Sequence, residues 1–442
     1  MKMLLAILFS VITSLLAIQG QAQTVVFQNV NLLSMEEERV QNNQTVIVKD
    51  GIIDWVGPTA EAELPRGADI ITGDYYLMPG LAEMHAHIPS QRQGEEYVNQ
   101  VLMMYVSQGI TTIRGMLGEP SHLELRELAA KGEIISPRIF TSGPSFNGNS
   151  ATTPENARQM VRDQKEAGYN LLKLHPGLSR EVFDAMADEA QKEGMEFSGH
   201  ISYDVGLERT LEAGQGTIDH LDRYMEFMAG EAANRPDPNI IYFGYDLTPH
   251  VDESLIDEAA RRTMEAGVWN VPTNTLLENV FNPDNTVEVM MNWPGVDRMP
   301  ENVVNGWRNY IENIRSSGDY DEEQARNFLE IRKRLTLALH ESGAGLLLGA
   351  DAPQIFNPPG YSAHRELELL VESGLTPYEA LQTGTVNVGE YLGEADQTGK
   401  VAKGYRADLI LLNANPLNSI PFNSHIEGVM VGGNWHWSDE LY

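Results

Sequence analysis

The chain has 442 residues, 42% of them hydrophobic and 21% charged, a balance that supplies a large core and argues against extensive disorder. Its 63 acidic residues against 31 basic ones give a formal net charge of -32, so the surface repels phosphate backbones and nucleic acid is not an expected partner. With no cysteine there is no disulfide, thiol nucleophile or thiolate metal site, and any metal must be held by His, Asp, Glu or a modified Lys.

The N-terminus, MKMLLAILFSVITSLLAIQGQAQ, sets Lys2 before an apolar run from Leu4 to Ile18, and Gly20-Gln21-Ala22 follows as a small-x-small cleavage signal. We read residues 1–22 as a secretory signal peptide and expect a secreted or periplasmic mature chain. The run is shorter than the roughly 20 residues that cross a bilayer. No membrane span is expected in the mature chain, and without a cysteine there is no lipoprotein anchor.

Residues 23–76 then read as short β-runs, TVVFQNVNLLS, TVIVKDGIIDWVG and ADIITGDYYLM, with Asp50-Gly51 as a tight hairpin turn. Residues 397–442 repeat the pattern in VAKGYRADLILLN and HIEGVMVGGNWHW, the latter folding at Gly432-Gly433. Strands from the two ends are expected to form one small β-sandwich.

Between them, residues 77–396 alternate apolar β-runs with helical segments, the mark of βα units and a parallel sheet or barrel. The strands fall at 81–87, 111–116, 138–143, 170–175, 196–201, 216–221, 268–274 and 345–351, with helical segments from Glu95–Gln108 to Glu322–Glu341 between them. A last helix, Pro377 to Tyr391, starts after Thr376 as N-cap and would close an α/β (β/α)8 TIM barrel. The connection from Leu276 to Tyr320 is abnormally long and has patchy periodicity. It is expected to be an insertion at the active-site face, a lid or a decorative or oligomer-forming loop.

The first of these strands, in LMPGLAEMHAHIP, ends in two histidines one residue apart. On a strand His85 and His87 face the same way, whereas on a helix they would diverge by about 200°. Two imidazoles at one strand end are half of a site for zinc or a similar divalent ion. Lys173, His200, His220 and Asp351 also lie at or near predicted strand C-termini, the face where a (β/α)8 barrel builds its active site. Their separations, 86 residues from His87 to Lys173, then 27 and 20, match whole βα units, which puts the candidates on strands one, four, five, six and eight.

HAH, LLKLH, GHIS, TIDHL and LLLGADAP, with the tail ELELLVESGLTPYEALQTGTVNVGEYLGEADQTGKVAKGYRADLILLNANPL, resemble the amidohydrolase superfamily over nearly the whole mature chain. Within it the chain resembles the branch of imidazolonepropionase-like enzymes, dipeptidases and ochratoxin-type amidases. Lys173 matches the binuclear members, in which a carboxylated lysine bridges two metals. The resemblance implies that His85, His87 and Asp351 hold the more buried of two divalent ions, zinc being expected, and that His200 and His220 hold the other. Carboxylated Lys173 and a hydroxide would bridge them, and Asp351 would shuttle the proton. The implied reaction is hydrolysis of a C–N bond in a small-molecule substrate, a dipeptide or N-acyl amino acid. The alternatives are a lactonase or phosphotriesterase, or an inactive metal-dependent binding protein.

Further candidates for substrate contact are His175, on the face of Lys173, and Tyr203, Arg223 and Tyr224, which follow strands five and six. His364, shortly after strand eight, is another. Each has an ordinary alternative as core packing or loop polarity. The oligomeric state, monomer or homo-oligomer, stays open.

Overall fold

The computed structural model describes residues 24–234 and 243–441, and the signal-peptide reading of residues 1–22 lies outside them. Among the described residues no helix is long and apolar enough to cross a membrane.

The two ends of the chain meet in one sheet. Five N-terminal strands, β1 (Thr24–Leu32), β2 (Gln41–Lys49), β3 (Ile52–Pro58), β4 (Asp69–Thr72) and β5 (Tyr76–Pro79), are joined by three that arrive some 330 residues later. β5 is the seam, because it pairs in parallel with β1 on one side and antiparallel with the C-terminal strand Leu409–Leu412 on the other. A single eight-stranded sheet results where a two-sheet sandwich was expected. Its own small core comprises Val25, Phe27, Val48 and Leu77 from one end with Leu409, Leu411 and Met430 from the other. At the β2–β3 hairpin Asp50 and Gly51 take φ of +51° and +75°, as the sequence reading required of a tight turn whose two central residues are left-handed.

The middle of the chain carries the parallel strands in the predicted order. β6 (Leu81–Ala86), β7 (Ile110–Gly115) and β8 (Arg138–Thr141) form one sheet. β9 (Leu171–Leu174), β10 (Glu196–Gly199), β11 (Thr217–Asp219) and β12 (Trp269–Val271) form a second. Isolated parallel bridges connect them: Ser142 to Leu171 and Phe146 to Leu174 on one side, Asn270 to Leu346 and Ala352 to Ala86 on the other. The predicted eighth strand is therefore an extended segment that bridges β12 to β6, and the ring of strands is not continuous. The N–H of Met84 bonds to Leu348 O and that of Asp351 to His85 O, while Leu348 N is drawn away to Thr383 O at the end of a covering helix. The remaining strands are β13 (Leu409–Leu412), β14 (Ile426–Val431) and β15 (Asn434–Trp437).

Two other expectations change. The closing helix is broken into Pro377–Thr383 and Val386–Tyr391, although Thr376 caps the first piece in a full capping box with Glu379. The 276–320 segment is not an open loop but is largely helical and packed. It contributes Leu276, Leu277, Val280, Phe281, Trp307, Ile311 and Ile314 to the main core, all buried. Arg315 stitches it together by donating to the carbonyls of Val280, Asn279, Asn282 and Asn285. Sequence reading missed this because the helices Asn274–Phe281 and Glu301–Arg315 bury their apolar residues against each other over short, interrupted runs.

Candidate metal centre

All six predicted ligand positions converge at the C-terminal ends of the parallel strands. His85 lies within β6, with His87 just past its end, and Lys173 lies within β9. His200 and His220 immediately follow β10 and β11, and Asp351 sits in the bridging segment. His85, His87 and Asp351 each offer a ligand atom within 4.8 Å of the others. The imidazoles continue as a row, with ring centroids 5.4 Å apart for His87 and His85, 4.5 Å for His85 and His220, 4.5 Å for His220 and His200, and 5.2 Å for His200 and His175.

Three rings are turned by the same device. His85 Nδ1–H donates to Asp219 Oδ2 at 2.8 Å and His200 Nδ1–H to Asp222 Oδ2 at 2.9 Å. The third, His220, places Nδ1 2.8 Å from Thr273 Oγ1. The Thr273 hydroxyl donates its own hydrogen to Pro272 O, so it must accept from the imidazole. Each ring therefore protonates Nδ1 and leaves the Nε2 lone pair bare, the tautomer a metal requires. His87 Nε2 and His85 Nε2 face Asp351 Oδ1 at 2.7 and 3.4 Å, and Gln354 donates to the same oxygen at 3.0 Å. Burial holds the His85 and His220 imidazoles well below the usual range and His175 down to about 2, so all three are neutral near pH 7.

Lys173 is fully buried, and its amine has no hydrogen-bond partner. Burial lowers its pKa, against the opposing pull of Asp219 and Asp351. Its stem lies along Gly199, the residue before His200. A Cβ there would stand 2.9 Å from Lys173 Cδ, 3.1 Å from its Nζ and 2.7 Å from Leu174 O, and φ is +119°. Only glycine serves at that position.

The weaker candidates separate. His175 stacks on His200 at the edge of the row. Tyr203 is half-buried, with its hydroxyl on Ala233 O, and Arg223 lies over its ring; both line a cavity of about 370 Å³ to which none of the row's histidines contributes. Arg223 donates Nε to Ile201 O and Nη1 to Glu226, while its buried Nη2 has no hydrogen-bond partner. Two candidates are corrected. Tyr224 is fully buried and its hydroxyl is shared by Thr263 and Asn270. His364 is buried on the helix Tyr361–Glu372, with Nε2 on Gln108 O and its ring against Phe422, so neither side chain is free to meet a substrate. Nor does burial divide the expected ligand sets, because His220 is more deeply enclosed than His87.

Sequence reasoning missed Asp219, Asp222, Thr273 and Arg114. A signal existed for Asp219: Thr217 and Asp219 alternate along β11 onto one face, where Thr217 Oγ1 donates to Asp219 Oδ1 at 2.6 Å. Arg114, a charge inside the buried strand β7, donates Nη2 to Thr217 Oγ1 at 3.0 Å and lies 3.5 Å from Asp219.

With this geometry in hand, a model of the amidohydrolase family matches residues 76–436. The chain belongs to the amidohydrolase family. It is 24% identical over 414 residues to the ochratoxinase of Aspergillus niger, covering 86% of this chain and 79% of that protein. It is 21% identical over 407 residues to an imidazolonepropionase of Kosmotoga olearia, covering 88% and 89%. In structure it resembles a Xaa-Pro dipeptidase crystallised with bound methionine, with a TM-score of 0.67 at 18% identity over 94% of this chain and all of the other. It is a hydrolase acting on C–N bonds, and the residues at the strand ends fit a metal of the kind the family uses. The bare Nε2 of His220 and the amine of Lys173 are buried polar atoms without partners, and both belong to this cluster.

Proposed function

We propose that this amidohydrolase is a secreted or periplasmic enzyme that cleaves the amide bond of a dipeptide or N-acyl amino acid. In this reading it uses two divalent ions, zinc by preference, held by His85, His87, His200, His220, Asp351 and a carboxylated Lys173. The barrel, (β/α)8 in plan, spans residues 77–396, and 23–76 and 397–442 form the flanking sheet unit. The signal-like N-terminus supports export, and relatives named ochratoxinase and Xaa-Pro dipeptidase support an amide substrate.

The observation that carries the reading is Lys173. An unpaired ammonium at that depth costs several kcal/mol, and burial lowers the lysine's pKa, which favours the free amine. A free amine adds CO2 and releases one proton, and the resulting carbamate offers two oxygens to cations. When bound, divalent ions acidify a water and polarise the scissile carbonyl. Asp351 then takes a proton at its carboxylate and delivers it to the leaving amine, while Gln354, bonded to Oδ1, steadies its orientation. His85, His200 and His220 keep their Nε2 lone pairs directed inward because Asp219, Asp222 and Thr273 hold the opposite nitrogens.

The test combines elemental analysis with a hydrolysis panel of dipeptides, N-acyl amino acids, a lactone and a phosphotriester. The expected result is close to two ions per chain, with turnover greatest on the amides. One ion in fully active protein refutes the binuclear site, and turnover confined to the lactone or phosphotriester refutes the substrate class.

A further inference from the structure

His220 and Thr273 both have left-handed backbones, with φ of +62° and +48°. That conformation is rare for any residue with a side chain and most unfavourable for a β-branched one. It nevertheless aims Thr273 Oγ1 at His220 Nδ1. A strained turn of this sort persists only when its surroundings over-determine it.

The surroundings are two charged side chains sent inward by two covering helices. Arg332, on the helix Glu322–Ser342, donates Nη1 to the His220 carbonyl at 2.8 Å and Nη2 to the Pro272 carbonyl at 2.9 Å. Glu366, on Tyr361–Glu372, accepts the backbone N–H of Asn274 at 2.9 Å and of Thr275 at 2.7 Å, one on each oxygen. Their exposures are 2% and 0%. Enclosing a guanidinium and a carboxylate is costly, and a mutual bidentate pair would offset the cost most directly. Both groups are instead bonded to backbone atoms on either side of Thr273.

We propose that Arg332 and Glu366 are positioning residues that lock the His220 imidazole through Thr273, an inference that rests on reading His220 as a metal ligand. Arg332 joins the two strand ends by holding one carbonyl from each, and Glu366 pins the first N–H groups of the helix Asn274–Phe281. Between them the Thr273 hydroxyl has a single arrangement: its hydrogen points to Pro272 O, which Arg332 also holds, and its lone pair receives His220 Nδ1–H. The clamp acts on the backbone, and its effect appears at Nε2 of the ring.

The test uses full-length protein labelled with 15N-histidine, stripped of metal by chelation. The parent should show an Nδ1–H resonance protected from solvent exchange, assigned by its loss in His220→Gln. Arg332→Met and Thr273→Val should each lose that resonance while the other histidine signals and the Tm stay near the parent's. Arg332→Lys, which keeps a donor, should restore part of it. Titration with Co(II) should show the more weakly bound ion released about 10- to 100-fold more readily in Arg332→Met, with an altered visible spectrum. A folded Arg332→Met or Thr273→Val variant with the parent's resonance and cobalt affinity overturns the inference. So does loss of the resonance only together with the whole histidine spectrum and the Tm, since that is a structural role. If the parent takes up no cobalt but its Nδ1–H resonance responds as described, the metal-ligand reading of His220 fails and the clamp stands.

Discussion

Replacing Lys173 by methionine should make the metal-free protein more stable and the enzyme inactive, two effects of opposite sign from one side chain. The amine is fully buried, unpartnered, and held below its usual pKa by burial. Methionine keeps an unbranched stem of nearly the same length and removes the group that must be desolvated. Enclosing an ammonium without a partner costs several kcal/mol, partly offset here by attraction to Asp219 and Asp351. A net gain of about 1–3 kcal/mol is expected, worth a few degrees of Tm in a chain of this size. The assay is thermal unfolding in excess chelator, run beside elemental analysis and hydrolysis of the best amide substrate. Lys173→Met should melt later, bind at most one ion tightly and show almost no turnover. The smaller Lys173→Ala leaves room for acetate or propionate to stand in for the missing carboxylate and recover part of the rate. A variant that melts earlier, or one that keeps two ions and full activity, would refute the argument.

Four further outcomes are expected. Asp351→Asn should lower kcat by about 10²-fold or more with little change in Tm, as measured by steady-state kinetics and calorimetry, because the amide keeps the shape but cannot accept the proton. Gly199→Ala should disturb Lys173 and His200 together, since the new methyl meets backbone and lysine within about 3 Å at a φ only glycine tolerates; a loss of about 2–5 kcal/mol and of bound metal is expected in denaturant titration and elemental analysis. Trp307→Ala should cost about 3–5 kcal/mol in unfolding free energy while KM changes little, the reverse of what a lid residue would do. Burial pushes Glu83 up to about 8 from the ordinary carboxylate value of 4.5, so the folded state holds its proton more tightly than the unfolded chain. Stability is then fully present below about pH 4.5 and is lost as pH rises toward 8; Glu83→Gln should match the parent at about pH 4 and exceed it at about pH 9 by up to about 5 kcal/mol in chemical denaturation.

Much of the fold was legible because its signals are local. β-runs spaced by whole βα units put His85, Lys173, His200 and His220 on the correct strand ends, and the Asp50-Gly51 turn followed from residue type alone. The eighth strand was legible as a position but not as a pairing, because whether Leu348 N bonds to a neighbouring strand or to Thr383 O depends on where a distant helix ends. The partners of the imidazoles were hidden for a similar reason. Asp219 reaches His85 across 134 positions, and Thr273 reaches His220 only because both backbones turn left-handed, which no periodicity announces. Tyr224 and His364 misled because position after a strand says nothing about direction; the next turn of chain carries both side chains into the core.

That contrast separates two kinds of residue at this site. Ligand positions can be read from spacing because strand geometry puts them there. The energetic cost is carried by the buried Lys173, by the left-handed backbone at His220 and Asp351, and by the groups that support them, the guanidinium of Arg332 and the left-handed Thr273. Strained or desolvated groups of this kind persist only when a well-packed surround over-determines them. Here the helix Asn274–Phe281, which starts directly after Thr273, supplies part of that surround: it buries Leu276, Leu277, Val280 and Phe281 in the main core, and Glu366 holds its first N–H groups.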